Sequence, residues 1–167
     1  MLDVRDLRVD YGRAPALWNV SLTIGDGELV CVVGPNGAGK TTLINALAGM
    51  HPAKSGRITL DGCEMTSLAP HKFSAAGVAL VPEGRRLFAR MTVRENLEIG
   101  GYARAIREVN AVGTAVLLVE QNVTMALEIA SRAYLLEEGR IAAEGTPAAV
   151  FSTPELRRAY LGDLPQL

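Results

Sequence analysis

The sequence predicts an α/β protein built on a mixed sheet, and three observations carry that prediction. Short β-branched runs recur between turn residues, over 20–24, 29–33, 57–60, 77–81, 116–120, 133–137 and 140–144. Helix candidates with legible ends lie between them, and strands alternating with helices indicate parallel βαβ units. One pair of runs, around Tyr134 and Ile141, is split only by Glu138 and Gly139, which reads as a tight antiparallel hairpin.

Taken in order, the runs LVCVV at 29–33, VALV at 78–81 and VLLV at 116–119 are apolar throughout, as expected of strands covered on both faces. A helix is predicted over 39–48, stopped by Gly49. Thr92 with Glu95 fits a capping box, opening a short helix that ends at Gly100 and Gly101. Residues 122–131 place Val123, Ala126, Leu127 and Ala130 at helical spacing. Thr146-Pro147 and Thr153-Pro154 each set a capping hydroxyl before a first-turn proline.

The 167 residues suffice for one full-sized domain and are too few for two of ordinary size. With 49 % apolar and 21 % charged residues and a net charge of −1, the chain reads as globular, against a disordered chain or a strongly basic nucleic-acid binder. No run approaches the ~18 apolar residues of a membrane span. The first residues, with Asp3 and Asp6, do not read as a secretory signal, so a cytoplasmic protein is expected. Cys31 and Cys63 do not suggest a disulfide framework, and Cys31 reads as a small core hydrophobe.

The strongest signal is Gly34-Pro35-Asn36-Gly37-Ala38-Gly39-Lys40-Thr41-Thr42, which fits G-x-x-x-x-G-K-[ST], the phosphate loop of nucleoside triphosphatases. The chemistry explains the residue types. Glycines let backbone N–H groups converge on phosphates, and the helix opening at Gly39 aims its positive end at them. Lys40 reaches the β- and γ-phosphates, Thr41 places a hydroxyl on Mg²⁺, and Thr42 serves the α-phosphate side. The apolar strand ELVCVV before the loop and the striped helix TLINALAG after it supply the context the motif needs.

No N-K-x-D guanine-reading motif occurs. In VVGPNGAGKTTLINALAGMHPAKSGRITLDG, VALVPEGRRLFARMTVRENLEIG and AVLLVEQNVTMALEIASRAYLLEEGRIAAEGTP the chain resembles the ATP-binding subunits of ABC transporters, over nearly its whole length. VPEGRRLF together with LLVEQN most resembles the branch serving importers of branched-chain amino acids. The resemblance implies a phosphate-loop NTPase fold, ATP and Mg²⁺ as cofactors, and a seat on the inner face of the membrane. It also implies membrane-spanning importer subunits, a second ATP-binding subunit in a head-to-tail dimer, indirectly a substrate-binding protein, and no nucleic acid. By resemblance, Tyr11 stacks on adenine. Glu83 replaces the glutamine that touches Mg²⁺ and the attacking water, and Gln121 replaces the switch histidine at the γ-phosphate. A carboxylate still ligates Mg²⁺, and glutamine still donates a hydrogen bond but carries no charge. Arg85, Arg86 and Arg90 form a basic cluster that suits either a solvated face or a membrane subunit. His51 and His71 lack companions at metal-ligand spacing, and Glu137 and Glu138 read as solvent-facing turn residues.

The resemblance breaks between Glu108 and Val109, where the family continues through a helical subdomain. No LSGG-like signature follows, and no apolar strand ends in Asp-Glu. Much of that subdomain and one core strand are therefore expected to be missing from a single domain over 1–167, leaving hydrolysis without its carboxylates. The run over 116–119 does end in Glu120, but the resemblance sets that residue just before the switch position. Two other readings remain: a truncated ATP-binding remnant without turnover, and a small phosphoryl-transfer kinase in which the arginines clamp phosphates.

Overall fold

The computed structural model describes residues 1–81, 102–120, 123–154 and 156–157. In chain order these form β1 (Leu2–Tyr11), β2 (Ala14–Ile24), β3 (Leu29–Val33), α1 (Lys40–Leu47), β4 (Ser55–Leu60), β5 (Cys63–Glu64) and α2 (Pro70–Ala75). Then follow α3 (Tyr102–Ala111), β6 (Val116–Val119), α4 (Val123–Ile129), β7 (Arg132–Glu137), β8 (Arg140–Gly145) and α5 (Pro147–Phe151). Two four-stranded sheets result. The first, in the order β2-β1-β4-β5, is antiparallel. The second, in the order β6-β3-β7-β8, is mixed: β3 runs parallel to β6 and β7, and β8 returns antiparallel along β7.

Alternation along the mixed sheet separates two cores. Val30 and Val32 of β3 and Tyr134 and Leu136 of β7 face the antiparallel sheet. There they join Val4, Leu7, Leu17, Val20 and the α1 residues Leu43, Ala46 and Leu47. Cys31, Val33, Ala133 and Leu135 face the other way, against Val123 and Ala126 of α4 and Val150 of α5. All five residues of β3 are buried, which is why its sequence shows no polar alternation. Each fully buried Val or Leu contributes roughly 1.5–3 kcal/mol of transfer free energy, so this central strand fixes where its C-terminal end, Val33, delivers the chain.

The predicted hairpin is present: Glu137 pairs with Arg140, and Glu138 and Gly139 turn between them at φ 46° and 74°. Thr146 caps α5 by accepting from the Ala149 N–H. The strand expected over 77–81 does not form. Gly77 and Val78 spend their N–H groups on the carbonyls of Ser74 and Phe73, finishing α2, and Val81 is left exposed. A strand needs a ladder to join, and the described mixed sheet ends at β6, on the far side of β3 from β7. The sequence also under-reported β1, α2 and α3. The junction at 108/109 lies within α3, an unbroken helix carrying an Arg104–Glu108 pair at 2.7 Å. Asn110 then ties this helix to the carbonyls of Gly27 and Thr114 at 2.8 and 2.9 Å. The segment 82–101, with Glu83, the three clustered arginines and the Thr92–Glu95 capping box, lies outside the described residues, as does Gln121.

Candidate functional site

β3 ends at Val33 and α1 opens at Lys40, so residues 34–39 form the loop between the buried strand and its helix. Gly39 is the N-cap of α1 at φ 103°. A Cβ there would lie 2.8 Å from Leu17 Cδ2 and 2.9 Å from Ala16 O, so both conformation and space demand glycine. The helix starts with no side-chain cap and no acid in its first turn, which leaves its positive end available to an anion. Lys40 is only 6 % exposed. Its ammonium donates to Gly34 O at 2.7 Å and Pro35 O at 2.9 Å, which offsets the cost of burying the charge and holds it inside the loop.

A cleft of about 630 Å³ opens over this loop. Asn36, Gly37, Gly39, Lys40, Thr41 and Thr42 line it, all of them residues the sequence singled out. Gly34 sits beneath, buried, with its carbonyl on the lysine. Tyr11 stands at the end of β1, half-exposed, where the register sets it against Ala14 and sets its neighbour Asp10 against Pro15. Its ring meets His51 edge-on, with centroids 4.4 Å apart and planes at 69°. His51, which lacks companions at metal-ligand spacing, flanks this aromatic instead.

Four lining residues escaped the sequence reading: Pro15 and Ala16 of β2, and Glu138 and Gly139 of the hairpin. The hairpin is fastened to the loop itself. Gly139 donates its N–H to Ala38 O at 2.9 Å and accepts from the Trp18 N–H at 2.7 Å. The only signal for this was a glycine in a tight turn, which marks a bend without saying what lies beneath it.

A nucleoside triphosphate fits these residues: flexible glycines, a buried ammonium and an uncapped helix start converge on one cleft. For Mg²⁺, the described structure offers the exposed Thr41 at the cleft wall, and groups of three or more His, Cys, Asp or Glu able to hold a metal are absent among the described residues. Among the described lining residues, Thr41, Thr42, Asn36 and Glu138 carry the side-chain oxygens, and phosphate oxygens would supply the remaining ligands. Away from the cleft, Arg132 clasps Glu28 at 2.7 and 2.9 Å and also donates to Thr23 O and Glu144, tying β7 to β2 and β8. These bonds, led by those from Arg132, hold the Glu28 carboxyl below its usual range. Burial pushes the Cys31 thiol up to about 12, marking it as core rather than nucleophile.

A buried parallel strand, a glycine loop and a helix that turns its start toward a cleft define a phosphate-loop nucleotide-binding protein of the NTPase class. The profile of the ABC transporter family matches residues 17–136. The branched-chain amino acid transport ATP-binding protein BraG of Pseudomonas aeruginosa is 32 % identical, over 97 % of this chain and 100 % of its own. A probable counterpart in Archaeoglobus fulgidus, LivF, is 29 % identical over 97 % of this chain and 99 % of its own. Further matches include ATP-binding proteins of lipopolysaccharide export and of sn-glycerol-3-phosphate import. Among solved structures, a nucleotide-free ATP-binding cassette from an ABC transporter superposes with a TM-score of 0.79 at 18 % identity, covering 98 % of this chain and 99 % of that one, which speaks for the fold. The chain belongs to the ABC transporter family as an ATP-binding subunit, within a group of ATP-hydrolysing enzymes. The BraG alignment runs over 232 positions, while the whole chain here has 167 residues.

Proposed function

We propose that this chain is the ATP-binding subunit of an importer of branched-chain amino acids and that, at the length given, it binds ATP with Mg²⁺ without turning it over. The observation that carries the binding reading is the cleft built from the phosphate loop, Pro15–Ala16 and the hairpin, with Tyr11 on the neighbouring strand. In it Lys40 moves from the loop carbonyls to the β- and γ-phosphates. Gly34, Asn36, Gly37 and Gly39 shape the backbone cradle, Thr41 gives its hydroxyl to the cation, and Thr42 serves the α-phosphate side. Tyr11 supplies a flat, rigid face for adenine. Mg²⁺, when bound, would neutralise charge on the phosphates. Glu83 and Gln121 take the cation-side and γ-phosphate roles that the resemblance assigns them.

The motifs VPEGRRLF and LLVEQN and the names of BraG and LivF support the amino-acid cargo. The partners would then be membrane-spanning importer subunits, a second ATP-binding subunit head-to-tail and, indirectly, a substrate-binding protein, at the inner face of the membrane. No helix among the described residues is long and apolar enough to cross a membrane, which agrees with a peripheral seat.

One observation favours a remnant that binds without turnover. The sequence has no LSGG-type signature and no apolar strand ending in Asp-Glu, and the described mixed sheet stops at β6. An alignment of 232 positions that covers 97 % of this 167-residue chain and 100 % of BraG supports a shortfall inside a single domain over 1–167, which the break in the motifs puts at 108/109.

The test measures binding of ATP and of inorganic tripolyphosphate, with phosphate release, in three proteins. Wild type binds both ligands and releases no phosphate above background. Lys40→Ala loses both ligands by about 10–100-fold, the worth of a hydrogen bond to a charged group. Tyr11→Ala loses ATP selectively, by the ~1–3 kcal/mol of a base stack. Unchanged affinity in Lys40→Ala sinks the phosphate-loop assignment, equal losses in Tyr11→Ala sink the stacking role, and Lys40-dependent turnover sinks the remnant reading.

A further inference from the structure

We infer that Glu138 is a ribose-recognition residue of this cleft, its carboxylate accepting hydrogen bonds from the sugar hydroxyls of the bound nucleotide. This rests on the reading of the cleft as a nucleotide site and goes beyond it, since no motif in the chain assigns the hairpin a ligand.

The argument begins with position. Glu138 lines the same cleft as Lys40 and Thr41, although 97 or more residues separate them in sequence. Its place over the cleft is fixed rather than floppy. The next residue, Gly139, is buried and bonded on one side to Ala38 of the phosphate loop and on the other to Trp18 of β2. Gly139 also packs so closely on Ala16 that a Cβ would be driven into the Ala16 carbonyl. Glu138 itself adopts a left-handed backbone at φ 46°, which only the closed turn enforces.

Chemistry then selects the partner. Glu138 is the sole acid among the described residues lining the cleft, and an ionised carboxylate only accepts hydrogen bonds. Phosphate oxygens are acceptors of the same sign, so they are not its ligands, and Mg²⁺ is read here at the Thr41 hydroxyl, among the phosphates. A nucleotide's remaining donors are the ribose hydroxyls and the base amine. The phosphates belong at Lys40–Thr42 and the base at Tyr11, whose register neighbours lead into Pro15 and Ala16. The sugar bridges those two ends, and the hairpin touches the wall between them through Ala16. Acidic side chains read ribose hydroxyls in dinucleotide sites by the same chemistry.

The experiment compares Glu138→Gly and Glu138→Gln with the wild type. Glycine accepts the φ of this position, so it deletes the side chain while keeping the turn. Glutamine restores an acceptor oxygen without the charge. Affinities are measured by calorimetry for ATP, 2′,3′-dideoxy-ATP and inorganic tripolyphosphate. The wild type should prefer ATP over the dideoxy analogue by about tenfold, from the hydrogen bonds to a charged acceptor. Glu138→Gly should lose that preference through weaker ATP binding, with tripolyphosphate unchanged or tighter, and Glu138→Gln should recover part of it. The inference is overturned if ATP and dideoxy-ATP weaken equally, or if all three ligands tighten together, which would make the carboxylate a mere repulsive charge. A wild type that binds tripolyphosphate but shows no ribose preference overturns it and spares the cleft. A wild type that binds neither ATP nor tripolyphosphate overturns both.

Discussion

Gly139→Ala should damage stability and the cleft together, and the structure allows its size to be worked out. At φ 74° an alanine pays the left-handed cost of roughly 1–2 kcal/mol. Its methyl would enter the space of the Ala16 carbonyl and lie 3.1 Å from Ala16 C and 3.3 Å from Leu17 Cα, all of it backbone that cannot swing aside. Relief requires the turn to lift, which stretches the bonds Gly139 makes to Ala38 O and the Trp18 N–H. Each is worth about 1 kcal/mol net, so losing both brings the total to about 3–4 kcal/mol. Gly62→Ala is the internal control. Gly62 has φ 78°, but nothing lies within 4 Å of its Cβ position, so only the conformational cost of roughly 1–2 kcal/mol remains. Urea unfolding of both variants gives the two free energies, and ATP titration reads the cleft. Equal destabilisation of the two, or full ATP affinity in Gly139→Ala, would refute the claim that the hairpin braces the phosphate loop.

Two further outcomes are expected. The Glu28 carboxyl is held below its ordinary value of 4.5 by Arg132 first and by the Gly25 N–H as well. The pair therefore stabilises the fold above that value and loses its contribution as pH falls through the lower, folded pKa. Glu28→Gln should cost about 1–3 kcal/mol at pH 7, and that cost should shrink progressively as the pH is lowered below 4.5, a trend visible in urea midpoints. Identical acid sensitivity in the two proteins would exclude the clasp as a source of stability. In thiol labelling at pH 8, the exposed Cys63 should react in the native protein while Cys31, buried and with its thiol pushed up to about 12, reacts only in urea. Matching native rates would contradict the placement of β3.

What the sequence made legible was local. LVCVV and TLINALAG name β3 and α1 because burial and helical spacing act within a few residues, and Glu138-Gly139 names the hairpin because left-handed turns restrict residue type. Pairing was not legible. The neighbours of β3 start at Val116 and Arg132, and nothing in those runs says which strand they join. The run over 77–81 shows the reverse failure: VALV has the composition of a strand, yet composition cannot supply a partner, and Gly77 and Val78 end a helix instead. In the site, the loop motif gave six lining residues outright. Pro15, Ala16, Glu138 and Gly139 reach the cleft only because two sheets close over it. The edge contact of His51 with Tyr11 likewise arises because Lys54 binds Arg8 O, laying the α1–β4 connection beside the end of β1.

Trp18 is the chain's one tryptophan, and its surroundings make it a built-in optical reporter. The guanidinium carbons of Arg8 and Arg140 lie 4.8 and 5.3 Å from its ring centroid, while the backbone N–H of Trp18 donates to the Gly139 carbonyl. The indole thus sits where the antiparallel sheet, the hairpin and, through Gly139, the phosphate loop meet. Movement of the hairpin against β2 changes the distance between indole and cation, and with it the emission spectrum. Because no second tryptophan dilutes the signal, nucleotide titrations and stopped-flow binding traces can be followed on the unlabelled protein, with Arg140→Lys as the variant that assigns the optical change to this joint.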